Sequence, residues 1–325
     1  MRILALDVAK GVGILLVVFG HVWRGAFDAG LAISQGMYRL IDNAIYAFHM
    51  PLFFFLSALL FVSALRRPVG ALMINRVIRL LWPMVIWTWI FFGTKVVVGD
   101  LQNTPTSLSD FPVIPLPPYA HFWFLWALFL IQIALILLLQ PLSAAHLRST
   151  GFRLAMGGAA LALGFAMPWV ELPSALFGAA VHHLPFFLGG LACAGLVGLR
   201  PPLWVAPVAL IAAVVLIGRA AVPYPPLPLT MVILLLLWLA ITAVCAAAGD
   251  RPGAALAGLA LLGGLSMPIY LAHTIFSAGL REVLIVAGVT NLPIHLVATM
   301  AVGIIGPIIL YHAAARLRLT RVLGF

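Results

Sequence analysis

The chain has 325 residues, of which 64% are hydrophobic and only 8% are charged, and its formal net charge is +10. A mean hydropathy of +1.18 excludes a soluble globular protein and indicates a polytopic membrane protein. The 18 basic residues are scattered between apolar segments instead of forming one basic face, so we expect no nucleic-acid partner. Cys193 and Cys245 lie in apolar segments without metal-ligand spacing, which predicts packed thiols and no metal site.

Apolar segments of spanning length predict an all-α, polytopic transmembrane helix bundle of about ten spans, with both termini on one side. Nine or eleven spans remain open, because the seventh segment is short and residues 253–264 form either a cytosolic helix or part of a longer ninth span. We expect a retained first span, a single domain over residues 1–325 and no appended soluble domain. The predicted spans are residues 9–28, 43–65, 78–98, 119–140, 152–170, 176–198, 202–218, 228–248, 265–286 and 293–315.

The distribution of basic residues predicts that both termini are cytoplasmic. Under ten spans, only Arg39 and Arg219 fall in loops on the opposite side. The longest connection, residues 99–118, would be outside; it is proline-rich and contains Asp100 and Asp110 but no basic residue. The basic residues on the side of the termini are Arg2, Lys10, Arg66, Arg67, Arg76, Arg79, Arg148, Arg153, Arg200, Arg251, Arg316, Arg318 and Arg321.

The first span carries the histidine that points most directly to chemistry. At a helical rise of ~1.5 Å per residue, His21 lies roughly 16 Å beyond Lys10, inside a hydrocarbon layer ~30 Å thick. An imidazole there suits a general base for a hydroxyl group, although a structural hydrogen bond to a carbonyl is the alternative. Arg24 lies on the same helical face, and His49 in the second span is expected at a similar depth.

Two arginines mark the predicted cytosolic start of the third span. Arg76 and Arg79 are three residues apart, so they project from one helical face. Two guanidinium groups so placed can hold phosphate oxygens, which fits an anionic cofactor that bears phosphates. The alternative is that both are ordinary positively charged anchors at the membrane surface.

Three further polar clusters lie within the predicted spans. In the second span, Pro51 can kink the helix beside the Ser57 hydroxyl. At the outer start of the fourth span, residues 121–126 (HFWFLW) are typical of an interfacial aromatic belt, with a role in a binding pocket as the alternative. In the ninth span, Tyr270 and His273 share one face, toward the cytosolic side.

Taken together, several strings in the expected order resemble the acyltransferase-3 family of integral membrane O-acyltransferases, in particular its sugar and polysaccharide O-acetyltransferases. The resemblance extends over nearly the whole chain. The strings are Leu6-Asp7 with Lys10-Gly11 and Gly20-His21, Phe48-His49-Met50-Pro51 with Phe53 to Ser57, Arg76 with Arg79, Trp123-Phe124-Leu125, and Tyr270-Leu271-Ala272-His273.

This resemblance implies transfer of an acyl group, most often acetyl, from cytoplasmic acetyl-CoA or another acyl-CoA to a hydroxyl of a cell-surface or exported carbohydrate. It implies a multi-pass protein of the bacterial cytoplasmic (inner) membrane, surrounded by lipids and with a polysaccharide or lipid-linked oligosaccharide as partner; a homo-oligomer stays open. His21 would be the catalytic histidine, with Lys10 as its motif partner and His49 as a second catalytic candidate.

The remaining site residues follow from the same resemblance and from their positions. Arg76 and Arg79 would bind coenzyme A, and Tyr270 and His273 would also line the cofactor side. The acceptor would be bound by Arg24, Trp123 and Ser57. Lys10 stands where arginine is also common, and lysine lacks the planar fork of a guanidinium group.

Two other classes of function fit part of the pattern. A proton-coupled transporter of a sugar, a lipid-linked intermediate or an organic anion could use His21 and His49, but the chain has no matching halves of the kind that many carriers show. A structural partner in a polysaccharide export complex would account for the spans but not for the polar residues buried within them.

Overall fold

The computed structural model describes residues 3–99, 107–170, 174–220 and 226–325, so Arg2 and Asp100 lie outside the described residues. Regular structure within these ranges is helical throughout, which confirms the predicted all-α class. Eight helical segments there are long and apolar enough to cross a membrane, and three shorter apolar helices cover residues 150–166, 205–219 and 254–264. The protein is therefore a multi-pass membrane protein, while the number of spans and the side of the termini stay predictions.

Fifteen α-helices follow one another along the described residues. They are α1 Leu4–Asp28, α2 Gln35–Tyr46, α3 His49–Leu59, α4 Phe61–Ala64, α5 Val69–Arg76, α6 Trp82–Val98, α7 Trp123–Leu139, α8 Ala144–Arg148, α9 Thr150–Ala166, α10 Gly178–Ala192, α11 Val205–Ala220, α12 Leu227–Ala248, α13 Ala254–Gly264, α14 Ser266–Val286 and α15 Leu292–Arg316.

The second predicted span, residues 43–65, falls on three consecutive helices, α2, α3 and α4. Helix α2 begins at Gln35, well before the predicted start at residue 43, because the Ser34 hydroxyl caps it by accepting a hydrogen bond from the Met37 N–H. The helix is interrupted between α2, which ends at Tyr46, and α3, which begins at His49. Pro51 falls in the first turn of α3, where a helix needs no N–H donor, so the break precedes the proline.

Helix α1 lies at the centre of the bundle and packs against α2, α3 and α12 to α15. Its contact with α13 is the closest, because glycines let the two backbones meet. A Cβ added at Gly11 would lie 2.0 Å from the Leu259 carbonyl oxygen, and one added at Gly263 would lie 1.8 Å from that of Asp7. Residues 254–264 thus form a helix of their own that packs against the start of α1, and its cytosolic location stays a prediction.

The third span begins with a wide helical turn. Between α5 and α6 the backbone forms a π-helical turn over Val77–Leu81, which carries Arg79. Such turns are frequent at functional sites because they change which side chains share a face. The chain segment after α15 holds the start of α6, since the Trp82 and Trp87 indoles donate hydrogen bonds to the carbonyls of Val322 and Leu323 (2.9 and 2.7 Å).

Candidate active site

One stripe of α1 side chains runs between two cavities. Its two charged residues line different cavities: Lys10 lines a cavity of about 450 Å³ and Arg24 lines one of about 400 Å³. His21 lies between them on the same face, one turn beyond Val17 and one turn before Arg24, and it lines neither cavity itself. We name these the Arg76 cavity and the Arg24 cavity. The stripe comprises Leu6, Lys10, Ile14, Val17, His21 and Arg24.

The Arg76 cavity has a cationic side and an aromatic side. Lys10, Arg76 and Arg79 all line it, so the structure brings the two arginines and the motif lysine to one space. The Arg76 Nη1 donates to the Asn75 side-chain oxygen at 3.1 Å, while its buried Nε has no partner among the described residues. Lys10 Nζ lies 3.6 Å from an Asp7 carboxylate oxygen.

Farther into the same cavity the lining becomes mostly apolar. Phe53 and Phe124 face it with their ring centroids 5.9 Å apart, and Tyr270 lies 5.6 Å from Phe124. Gln132 is the buried polar exception, and its side-chain oxygen accepts no hydrogen bond from the described residues. Ser57 also lines this cavity. Arg24 and Trp123, the other two residues expected to bind the acceptor, line the Arg24 cavity instead.

Three histidine rings form a triangle beside the α1 stripe. The ring centroid of His21 is 5.0 Å from that of His273 and 5.6 Å from that of His121, and the last two are 5.2 Å apart. His121 and His273 are buried. Within the part of the chain that the structure describes, no group of His, Cys, Asp and Glu has the arrangement of a metal site.

Hydrogen bonds fix the orientation of His273. Its Nδ1 lies 2.8 Å from the Tyr270 carbonyl and 3.0 Å from that of Ile269, so Nδ1 carries the proton that is donated. In the neutral ring the lone pair is therefore on Nε2, an atom that is buried and has no partner among the described residues. The His273 ring lies against that of His21, because α14 packs along α1, and His273 lines neither cavity.

A strained backbone holds His121 in this cluster. Ala120, just before it, has φ of +49°, a left-handed conformation that costs an L-residue roughly 1–2 kcal/mol. The Tyr270 hydroxyl donates a hydrogen bond to the His121 carbonyl. His121 is thus part of a buried site and not of an exposed aromatic belt, and strain of this kind is often found at functional sites.

An ion pair organises the Arg24 cavity. The Arg24 guanidinium donates two hydrogen bonds to the Asp42 carboxylate, at 2.6 and 2.9 Å, and lies over the Tyr46 ring at 3.3 Å from its centroid. Tyr46 packs across Gly20, where a Cβ would lie 3.2 Å from the ring. This contact sets the Tyr46 ring against the α1 backbone one residue before His21.

The other walls of the Arg24 cavity combine aromatic and polar groups. Trp123, His182 and His183 line it. The His183 ring stacks on Phe54, and its Nδ1 donates to the Ala179 carbonyl at 2.8 Å. Tyr46 lines the same cavity, and its buried hydroxyl has no hydrogen-bond partner within the described ranges.

His49 lies at the edge of this arrangement. It is 1% exposed, its Nδ1 donates to the Ile45 carbonyl at 2.8 Å, and its ring packs edge-on against Tyr46 with centroids 4.4 Å apart. It lines neither cavity. The structure thus places His49 behind Tyr46 and places His121 and His273 against His21.

Four residues of the site were missed or set aside by sequence reasoning: His121, Asp42, Tyr46 and Gln132. Arg24 near the end of a span was a signal that an acidic partner such as Asp42 lies nearby, because a partly buried guanidinium group needs an anionic partner. The predicted second span began at residue 43, so Asp42 fell in the loop before it. Gln132 and Tyr46 carried no signal in a single sequence.

A larger third cavity lies away from this site. It measures about 860 Å³ and lies between α6 and α14, with Thr94, Lys95 and Arg281 among its lining residues. No histidine of the triangle lines it, as none lines the Arg76 or the Arg24 cavity, and it reaches Thr274, the neighbour of His273. Its size alone therefore does not make it the functional centre.

Comparison with known proteins gives the family. A family profile described as an acyltransferase domain, that of acyltransferase-3, matches residues 3–312. The chain is 33% identical over 132 residues to nodulation protein NolL of Mesorhizobium japonicum, which is 40% of this chain and 34% of that protein. It is 31% identical over 136 residues to nodulation protein NolL of Sinorhizobium fredii, which is 39% of this chain and 34% of that protein.

These alignments span about a third of the length of either relative. No solved structure matches the chain. The family match covers nearly the whole chain, including His21, the arginine pair and the Tyr270 to His273 segment. This integral membrane protein belongs to the acyltransferase-3 family.

Proposed function

We propose that this protein transfers a short acyl group, acetyl in the first instance, from acyl-CoA to a hydroxyl of a carbohydrate. The observation that carries the proposal is the α1 stripe, which runs from the cationic side of the Arg76 cavity past His21 to the Arg24 cavity. A donor and an acceptor that enter separate cavities would then meet at one imidazole.

The Arg76 cavity suits the donor. Coenzyme A carries several phosphate charges, and Arg76, Arg79 and Lys10 supply cationic donors at one side of the cavity. The unpartnered Arg76 Nε and the unpartnered Gln132 oxygen are a donor and an acceptor that a ligand would satisfy. The pantetheine arm contains amide groups, which match Gln132, and its thioester would lie toward Phe124 and Tyr270.

His21 is the proposed base. The acceptor hydroxyl oxygen forms a bond to the thioester carbonyl carbon, the C–S bond breaks, and the hydroxyl proton passes to His21 and then to the departing thiolate. Transient transfer of the acyl group to a His21 nitrogen and onward to the hydroxyl uses the same geometry. His273 and His121 are positioning residues in this proposal, since their rings contact that of His21.

The Arg24 cavity suits a carbohydrate acceptor. Sugars present hydroxyl groups and apolar faces, and this cavity offers the Asp42 carboxylate, the Tyr46 hydroxyl and the Trp123 ring. Since Arg24 and Asp42 neutralise each other, a neutral sugar is the better match. With cytoplasmic termini, as proposed from the basic residues, the Arg76 cavity faces the cytoplasm and the Arg24 cavity faces outward, in a bacterial inner membrane.

Replacement of His21 tests the chemistry. Membranes that contain His21→Ala should lose transfer of labelled acetyl from acetyl-CoA to the carbohydrate fraction at normal protein levels, while His312→Ala, a change at an exposed histidine, should retain it. Full activity of the His21→Ala protein would remove this histidine from the mechanism.

Replacement of the arginines tests the donor site. A hydrogen bond to a charged group contributes about 1.5–3 kcal/mol, so Arg79→Ala should raise the apparent KM for acetyl-CoA roughly 10- to 100-fold with little change in the KM for the acceptor. Arg148→Ala removes an equal charge from an exposed position in α8 and is the matched control. Equal KM values for the two variants would return the arginines to the role of membrane anchors.

A further inference from the structure

Met50 is the one described residue that lines both cavities. Its neighbours diverge: Ala47 and Pro51 face the Arg24 cavity, and Phe53 faces the Arg76 cavity. Met50 is 8% exposed, and it sits in the first turn of α3, immediately after the break that follows α2. Its side chain is therefore part of the wall between the two spaces.

The rest of this wall consists of aromatic rings in mutual contact. Phe53 packs on Phe124, Phe124 packs on Tyr270, and Trp123 lies edge-on to Phe124 with ring centroids 6.4 Å apart. Packed rings of this kind have little room to move. Methionine is unbranched, has three rotatable bonds and adapts its shape to neighbouring groups. Met50 is thus the most easily displaced part of the wall.

We propose that Met50 is the specificity-determining residue that limits the donor to a short acyl chain. This inference rests on the proposed function, because it assigns the thioester to the Arg76 cavity. The acceptor hydroxyl reaches the thioester carbon from the Arg24 cavity, so the acyl group lies against the wall that Met50 completes. Each methylene added to the chain then competes with the Met50 side chain for the same space.

The expected preference for acetyl-CoA over longer acyl-CoA donors can be estimated from how strongly hydrophobic pockets distinguish substrates of different length. One additional or missing methylene in a hydrophobic pocket changes kcat/KM about 10- to 200-fold. Wild-type protein should therefore use acetyl-CoA far better than butyryl-CoA or hexanoyl-CoA. Truncation of Met50 beyond Cβ should open the wall and admit the longer chains.

Acyl-chain competition tests the inference in full-length protein in membranes. We would measure kcat/KM for acetyl-, butyryl- and hexanoyl-CoA with wild type, Met50→Ala, Met50→Leu and Met267→Ala. Met267 lines only the Arg76 cavity, so its truncation removes the same atoms from a different part of the same space. Met50→Leu conserves volume and should keep the wild-type profile.

The inference holds if Met50→Ala raises the ratio of hexanoyl to acetyl transfer at least tenfold above that of Met267→Ala. It is overturned if wild type transfers acetyl and the two alanine variants share one chain-length profile. If Met50→Ala does not accumulate, Met50→Val carries the same expectation and the same refutation. Absence of acyl transfer by wild type from all three donors would instead refute the proposed function, so the two failures are distinguishable.

Discussion

The contact between α1 and α13 offers a matched pair of glycines for a quantitative prediction. A Cβ at Gly263 would lie 1.8 Å from the Asp7 carbonyl oxygen, whereas one at Gly258 on the same helix meets nothing within 4 Å. Both are glycine-to-alanine changes within one helix, and alanine is favoured over glycine by about 0.5–1 kcal/mol in a helix interior. Gly258 lies in the interior of α13 and Gly263 is its second-last residue, so the difference between the variants reports mainly the clash.

The cost of that clash can be worked from the geometry. Ordinary van der Waals contact begins near 3.4 Å, so the helices must separate by more than 1 Å to admit the Gly263→Ala methyl. A gap of 0.5–1 Å already forfeits roughly a quarter to a half of each contact's attraction, and overpacking usually costs about 1–3 kcal/mol. We expect Gly263→Ala to be less stable than Gly258→Ala by ~1–3 kcal/mol.

Thermal unfolding of the two purified proteins in the same detergent measures this difference. Gly263→Ala should unfold at a lower temperature than wild type, and Gly258→Ala at an equal or higher one. Coincident unfolding curves for the two variants would refute the close approach of these backbones. The refutation would extend to the position of Lys10, because Asp7 takes part both in the contact with Gly263 and in the ion pair with Lys10.

Three further changes separate stability from activity. Gly20→Ala should lower kcat several-fold with a small loss of stability, measured by transfer assays and unfolding, because its Cβ would push the Tyr46 ring by a few tenths of an ångström. Asp42→Asn should weaken the two hydrogen bonds that Arg24 donates to this side chain. In initial-rate kinetics the KM for the acceptor should rise while the KM for acetyl-CoA stays unchanged. A rise in the KM for acetyl-CoA alone would contradict this. Gln132→Leu should raise the acetyl-CoA KM yet leave thermal stability unchanged or increased, since it removes a buried unpartnered oxygen.

Helical periodicity made much of the candidate site predictable. Residues three and four positions apart share a helical face, so Lys10, His21 and Arg24 fall on one stripe of α1 as the sequence indicated. Arg76 and Arg79 also line one cavity, although a π-helical turn and not a regular α-helix carries Arg79. The helical class was equally secure because long apolar segments leave few alternatives in a membrane.

Contacts between distant helices were not predictable in the same way. His121 looked like part of an interfacial belt because aromatic neighbours dominate its local sequence, yet the strained Ala120 backbone and the Tyr270 hydroxyl hold it against His21. The break between α2 and α3, which places Met50 in the first turn of α3, has no side-chain cap of its own. A single sequence carries no record of such pairings.

Unpartnered polar atoms give an independent reason to regard these cavities as functional. In a membrane interior an unsatisfied polar group costs free energy, so a structural role should leave few of them. Of the eight buried side-chain atoms without a hydrogen-bond partner in the described residues, three belong to residues that line the Arg76 or Arg24 cavity and two belong to the histidine triangle. These five are Arg76 Nε, Gln132 Oε1, Tyr46 OH, His121 Nε2 and His273 Nε2.

Their concentration along one path argues against a purely structural histidine at position 21. A bundle optimised only for packing would pair such groups or replace them with apolar side chains at little cost. A bundle that admits a polar donor from one end and a polar acceptor from the other must instead leave donors and acceptors open along the route. Simultaneous replacement of Gln132 by leucine and Tyr46 by phenylalanine should therefore raise the unfolding temperature and reduce acyl transfer.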